Sequence, residues 1–300
     1  MNRVKNKRSR LGVRQRNFIL LGLIPICAAF FVFLILPIGY SMVMSLFNYS
    51  GFGNAPFVGM NNYKTLFQDK EFLGALKNTV IFVLAAANIN IVAATMIAVL
   101  IKSVRRRRMK SFFRGWFFLP AVIPMVASSY VWSIMFQPSS GIINRFLVFF
   151  GLGPFNWLGE RTLALPAVIV TTLWCDLGYN ILLILAGLDE IPATFLEAAS
   201  IDGAGSMQRF AKITLPLLSR NLVFVCISTY ISYFQVFAQI QIMTKGGPDN
   251  ATNVLGFNIY NYAFRYSQMG YASAMAMILM LIILVIAVIQ YFCMKADWEY

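Results

Sequence analysis

The sequence predicts an all-α, polytopic membrane fold with about six spanning helices, and three observations lead there. Of the 300 residues, 59% are hydrophobic and 12% charged. The apolar residues fall in long blocks separated by short polar stretches. The cations are concentrated in particular connecting segments. A bilayer core demands about 20 mostly apolar residues per helical span, whereas helices of soluble proteins usually keep a polar stripe. Six segments meet that length: 18–42, 79–101, 116–135, 163–185, 222–243 and 271–294. Inside a soluble protein, six such cylinders would need more polar surface to cover them than the chain has.

The basic stretch before the first segment resembles the start of a signal peptide. The apolar run is too long for one and lacks a small-residue cleavage pattern, so it is expected to stay attached as a span. Seven cations lie between Arg3 and Arg16, and seven more separate spans two and three: Lys102, Arg105, Arg106, Arg107, Arg108, Lys110 and Arg114. Cationic connections stay cytoplasmic. With both termini inside, Arg209, Lys212, Arg220 and Lys295 join them, which places 18 of the 25 cations on one side. The expectation is a multi-pass protein of a prokaryotic cell membrane, with a basic cytoplasmic N-terminus over 1–17, a six-span domain over 18–294 and a cytoplasmic tail over 295–300. The net charge of +14 then requires no nucleic acid partner. The Arg105–Arg108 run reads as a topology anchor beside anionic lipid. Cys27, Cys175, Cys226 and Cys293 all fall within predicted spans without CxxC spacing, which supports neither a disulfide framework nor a zinc site. No histidine is present, which excludes an imidazole proton relay or a histidine-ligated metal.

Outer loops one, three and five are long and turn-rich, the second is a short basic connector, and Pro120 and Pro124 are expected to bend span three, with Trp132 as a stacking wall. The fourth loop, 189–221, reads as structured. After Pro192 come helix formers with Leu196, Ala199 and Ile201 on an irregular apolar face, then Asp202, Gly203 and Gly205 interrupt. A second helix of about two turns, 206–213, is expected to be stopped or bent by Pro216 before the fifth span. Two short helices joined by a glycine-rich bend would make a compact knob on the cytoplasmic face. Ala198, Ala199, Ala204 and the two glycines give it a low profile, Gly203 permits a backbone turn, Glu197 suits an anchor to a cation or N–H group, and Asp202 can cap the second helix.

Glu197, Ala198 and Ala199, followed at fixed distances by Gly203, Ile213, Leu215 and Pro216, match at every defined position the EAA signature of permease subunits of binding-protein-dependent ABC importers, a family this chain therefore resembles. The stretches at 57–79, 186–192, 243–252 and 258–276 are similar to the carbohydrate class, so the resemblance covers nearly the whole chain. It implies that the knob is the coupling helix seated in a cleft of a cytoplasmic ATPase. The partners it implies are two ABC ATPase subunits, a second homologous permease subunit, an extracellular or periplasmic solute-binding protein, and a sugar as solute. ATP and Mg belong to the ATPases, because no GxxxxGK[ST] loop or Gly-Lys pair exists here; the chain itself is expected to be no enzyme. Glycerol 3-phosphate importers remain the alternative. Against the maltose-type pattern, extra amino-terminal spans and a large exterior insertion are missing, which makes Gly246, Gly247 and Pro248 candidates for docking the binding protein, unless they merely close a turn.

A polar group inside a span is costly unless it faces a cavity or a partner. In span four, Asp176 is accompanied by Thr172, Tyr179 and Asn180 at spacings of four, three and four, which share a helical face. In span five, Thr229 and Tyr233 share a face with Ser232 beside them, and Tyr230, Gln235 and Gln239 add polar groups. These residues form a candidate substrate pathway, since carboxylates accept from paired hydroxyls and aromatic rings pack on a sugar's apolar face. The other reading of Asp176 is a polar contact to the partner permease; for the rest it is interhelical hydrogen bonding. An intramembrane enzyme using Asp176 with Glu197 fails on their separation of roughly 20 Å or more, and an ion-coupled transporter would show internal repeats.

Overall fold

Apolar runs as long as a bilayer core is thick leave the backbone no hydrogen-bonding partner but itself, and the chain forms helices throughout. The structure, a computed structural model, describes residues 13–294. Expectations for 1–12 and for the tail at 295–300 fall outside the described residues. Helix α1 runs over 13–44 as Val13–Phe30, a π-helical turn Phe31–Ile35, and Leu36–Met44. Short α2 (Asn61–Leu66) leads to α3 (Lys70–Ser103). Helix α4 (Arg107–Phe118) ends in a 3-10 turn, Leu119–Val122, before α5 (Met125–Met135). Helices α6 (Ile142–Phe149), α7 (Ala164–Glu190) and α8 (Ala193–Ile201) follow. Helix α9 covers 206–234 as Ser206–Arg209, a π turn Phe210–Thr214 and Leu215–Phe234, and is extended by α10 (Ala238–Met243). Helix α11 (Leu255–Tyr260) passes through a π turn, Asn261–Arg265, and α12 (Met269–Met294) closes the described chain.

Among the described residues, five helical stretches are long and apolar enough to cross a membrane: Leu21–Met44, Lys70–Ser103, Ala164–Glu190, Ser206–Met243 and Met269–Cys293. A sixth span exists only if α4 and α5 are counted as one, because the pair is bent by 93°. The bend falls at Pro120 and Pro124, as the sequence suggests, and its size makes this a broken span. Span two begins nine residues before the expected boundary, because Asp69 Oδ1 accepts the Glu71 N–H at 2.8 Å and Phe72 and Ala75 are already buried.

Helix α7 is the central member, with 56% of its apolar stretch buried, whereas none of the apolar stretch within Leu21–Met44 is. It packs along α3, whose Ala86, Ala87, Ala94 and Ala98 are fully buried; small side chains let the two backbones approach. Broken span three approaches α7 more closely still. A Cβ on Gly178 would lie 1.9 Å from the Phe117 carbonyl oxygen, so only hydrogen fits between the two backbones.

The connections sort by end. Asp189, at the end of α7, receives Lys102 Nζ at 2.5 Å, an Arg114 guanidinium nitrogen at 2.7 Å and Lys110 Nζ at 3.7 Å, which ties loop two to the start of loop four. At the opposite end, Asn78 Nδ2 donates to the carbonyls of Asn250 and Asn253, at 2.8 and 3.0 Å, and Tyr271 donates to Asp69 at 2.8 Å. Tyr262 also reaches Asp69 and Glu71, and burial together with the Glu71 and Asp69 carboxylates pushes its phenol pKa up.

The Gly178 contact makes a direct prediction. Gly178→Val should destabilise the purified protein by at least the roughly 1–3 kcal/mol of core overpacking. Gly74→Ala, with nothing within 4 Å, should be neutral or stabilising by about 0.5–1 kcal/mol. Thermal unfolding in detergent checks both, and equal melting temperatures would contradict the contact.

Candidate functional site

The first functional feature is the structured loop after α7. Helix α8 stops where Gly203 takes φ +78, a backbone conformation that disfavours side chains, and the Ala204 N–H closes back on the Ala199 carbonyl at 2.9 Å. The Asp202 side chain does not cap the second helix. Asp202 ends α8, Gly205 starts α9, and Gln208 Oε1 accepts the Gly205 N–H at 3.2 Å. Arg209 donates to Ser200 Oγ, which braces the two helices against each other. Glu197, Ala198, Asp202 and Gly205 are exposed and Ala199 is buried. Glu197 makes no hydrogen bond or ion pair among the described residues. Apolar Ile201 and Met207 flank the bend at 87% and 76% exposure, so the tip offers more than small residues. The sequence had placed Ile201 on an apolar face; Met207 was missed, although an unpaired Met after a Gly-rich bend is a usable signal.

Pro216 does not end the second helix. In the π turn the Leu215 N–H bonds the Phe210 carbonyl, a slip of one residue that relieves the clash between the proline ring and the carbonyl four residues back. Ile213, Leu215 and Pro216 therefore lie inside a continuous rod from Ser206 to Phe234. The expected two-turn helix followed by a separate span is in fact one element, which α10 extends to Met243. Beside the elbow, Pro192, Phe195, Pro216 and Arg220 help to line a cavity of about 500 Å3.

The second feature is a cavity of about 240 Å3 between the middle of α7 and the last two turns of α9, where Asp176, Tyr179, Asn180, Thr229, Ser232 and Tyr233 converge. Phe118 and Ala121 of broken span three close one side, and Trp132 meets Trp174 edge-on at 5.8 Å nearby. Thr172 is not part of it. That residue is buried and accepts from Gln239 Nε2 at 3.3 Å, because the break between α9 and α10 swings Gln239 over it.

Sequence reasoning missed Asn90, which organises the cavity wall. Fully buried on α3, it accepts from Asn180 Nδ2 at 2.7 Å and donates to the Tyr233 hydroxyl at 2.9 Å. Asn180 also donates to Thr229 at 3.0 Å, and Tyr233 lines the cavity together with Asp176. Asn88 and Asn90 interrupt the otherwise apolar FVLAAANINIVAAT run, and that was the signal available. The bonds tie Asn90, Asn180, Thr229 and Tyr233 to one another, while Tyr179 stays 53% exposed.

Of the three docking candidates, Gly246 is buried, at φ +84, with Phe257 2.8 Å from where its Cβ would lie. Gly247 and Pro248 are half-buried, and Thr252 fastens the turn through Thr244 Oγ1 and the Gly247 carbonyl, both at 2.7 Å. The exposed part of this turn is Lys245, Asp249 and Asn250.

Residues 90–295 match the family described as the inner membrane component of binding-protein-dependent transport systems. The chain is 37% identical to a multiple sugar-binding transport system permease protein of Streptococcus mutans over 260 residues, covering 86% of this chain and 89% of that protein. It is 30% identical to an sn-glycerol-3-phosphate transport system permease protein of Shigella flexneri, covering 90% and 91%. The fold superimposes, with a TM-score of 0.83 at 22% identity, on a chain of a bacterial ABC transporter involved in import of the acidic polysaccharide alginate, covering 95% of this chain and 98% of that one.

The hydrogen-bonded wall predicts a split between neighbours. Asn90→Ala strands Asn180 and Tyr233 and should cost about 1–3 kcal/mol. Tyr179→Ala should change stability by less than about 0.5 kcal/mol. Thermal unfolding of the purified variants separates them.

Proposed function

The chain belongs to the family of inner membrane components of binding-protein-dependent transport systems, and on that premise we propose that it is a permease subunit of an ABC importer that brings a sugar or oligosaccharide into the cell. The observation that carries this reading is the continuity of the elbow with the cavity wall. A push on the elbow at Met207, in the first turn of the rod, is delivered through the helix to Ser228, Thr229, Ser232 and Tyr233 without an intervening break.

In this reading one of two separate ATPase subunits receives the elbow on the cytoplasmic side, with Glu197 and the small residues Ala198, Gly203, Ala204 and Gly205 at the contact and Ala199 buried behind them. ATP-driven closure of those subunits displaces the rod, and packed helices moving as rigid bodies alternate access to the cavity. Tyr179 at the cavity is exposed and Asp176 beside it is half-buried. A second permease subunit supplies a further wall, since a carboxylate facing lipid would be costly. A solute-binding protein delivers the solute to the loops at the other end. Hydroxyl, amide and carboxylate groups alternating with tyrosine rings suit a polyhydroxylated ligand. Glycerol 3-phosphate is the second reading, favoured by the relative's name; Asp176 disfavours it, because two like charges would meet in low dielectric.

Uptake into vesicles carrying the assembled importer tests the coupling role. Glu197→Lys or Gly203→Val should lower solute uptake several-fold while the separated ATPase subunits hydrolyse ATP at an undiminished rate. Undiminished uptake in the double variant would remove the elbow from the mechanism. Asp176→Asn should leave basal ATP hydrolysis in place and change uptake of the solute; unchanged uptake would take Asp176 out of the pathway.

A further inference from the structure

Helix α4 is divided lengthwise. Phe113 and Phe117 pack inward on the cluster that includes Ile181 and Leu185, and Lys110 and Arg114 turn the same way, to Asp189. One carboxylate thus meets three cations, and the buried Arg114 Nε has no hydrogen-bond partner. The opposite face is open and graded. Arg107, Arg108 and Ser111 are exposed at its start, Phe112 and Trp116 stand 61% and 64% exposed one and two turns on, stacked with centroids 6.0 Å apart, and Leu119 follows at 63%. Gly115 lies between them with nothing within 4 Å of a Cβ, which leaves a shallow channel beside the ring stack. From Arg108 to Leu119 the helix rises about 16 Å, the depth of one leaflet of a roughly 30 Å hydrocarbon core.

A sequence of guanidinium groups, then aromatic rings, then aliphatic surface is the polarity profile of a phospholipid from headgroup to chain. We infer that this face of α4 is a binding site for an anionic phospholipid, its phosphate held by Arg107, Arg108 and Ser111 and one acyl chain lying over Gly115 against Trp116 and Leu119. The surplus positive charge of the seven cations on Lys102–Arg114 selects an anionic headgroup over a zwitterionic one. Because Lys110 and Arg114 on the same helix grip Asp189, three residues before Pro192, an occupied site also steadies the base of the elbow. The site depends on none of the solute or partner assignments above, so it stands or falls separately from them.

The test places the full chain in phosphatidylcholine nanodiscs containing a low mole fraction of brominated lipid, either phosphatidylglycerol or phosphatidylcholine. Quenching of Trp116 is taken as the difference between the native protein and Trp116→Phe. Brominated phosphatidylglycerol should quench Trp116 more strongly than brominated phosphatidylcholine at equal fraction. Each arginine should contribute roughly a fivefold gain in local occupancy, the equivalent of about 1 kcal/mol per basic side chain at an anionic surface. Arg107→Gln with Arg108→Gln should bring the two lipids level, whereas Arg107→Lys with Arg108→Lys should keep the preference. Equal quenching by both lipids in the native protein, a preference that survives the glutamine variant, or no quenching by either because protein covers the face would each overturn the proposal.

Discussion

The rest of the molecule depends on how the backbone groups around Pro216 are satisfied. A proline there removes one N–H and crowds the carbonyl four residues back, which in a helix interior costs about 3 kcal/mol or more. The chain answers with a single widened turn, Phe210–Thr214, in which the Leu215 N–H reaches the Phe210 carbonyl. The helix slips by one residue and continues. The same device stands ahead of Pro37, where the Leu36 N–H bonds the Phe31 carbonyl. A π turn is thus how two rods of this protein keep a proline without breaking.

From that continuity follows the mechanical character of the site. The rod that begins at the elbow ends beside the polar cavity, and the cavity's hydrogen bonds run across three helices, from Asn90 on α3 through Asn180 on α7 to Thr229 and Tyr233 on α9. A bonded wall of this kind cannot yield at one residue without stranding another. The breaks in the backbone lie elsewhere: the 93° bend between α4 and α5, the glycine turn at Gly203, and the gap between α9 and α10. The Asp189 cluster holds the other side of the elbow to α3 and α4.

Much of this was legible in the sequence, because apolar length and cation placement act locally. Spans, loop sorting, the structured fourth loop and the positive-φ role of Gly203 follow from single segments. Six of the seven candidate pathway residues line one cavity, three from a face of α7 and three from α9, and each face on its own is a short-range property of the sequence. What was not legible depends on contacts between segments. Thr172 shares a face with Asp176, but Gln239 from a broken neighbour covers it. Asn90 matters because of what stands opposite it, and Gly178 because the Phe117 carbonyl occupies the place of a side chain. Pro216 signals a stop or a bend by residue type, and the π turn that lets the helix continue has no marker in composition.

Spin-label distance measurement tests the rigidity of the elbow rod most directly. With Cys27, Cys175, Cys226 and Cys293 replaced by serine, labels at Gln208 and Phe224, both exposed, lie about 24 Å apart along the helix axis. In the assembled importer this distance should be the same without nucleotide and with ATP bound. A change of several ångströms between the two states would mean that the rod bends at its π turn, and that the elbow does not drive the cavity as a lever.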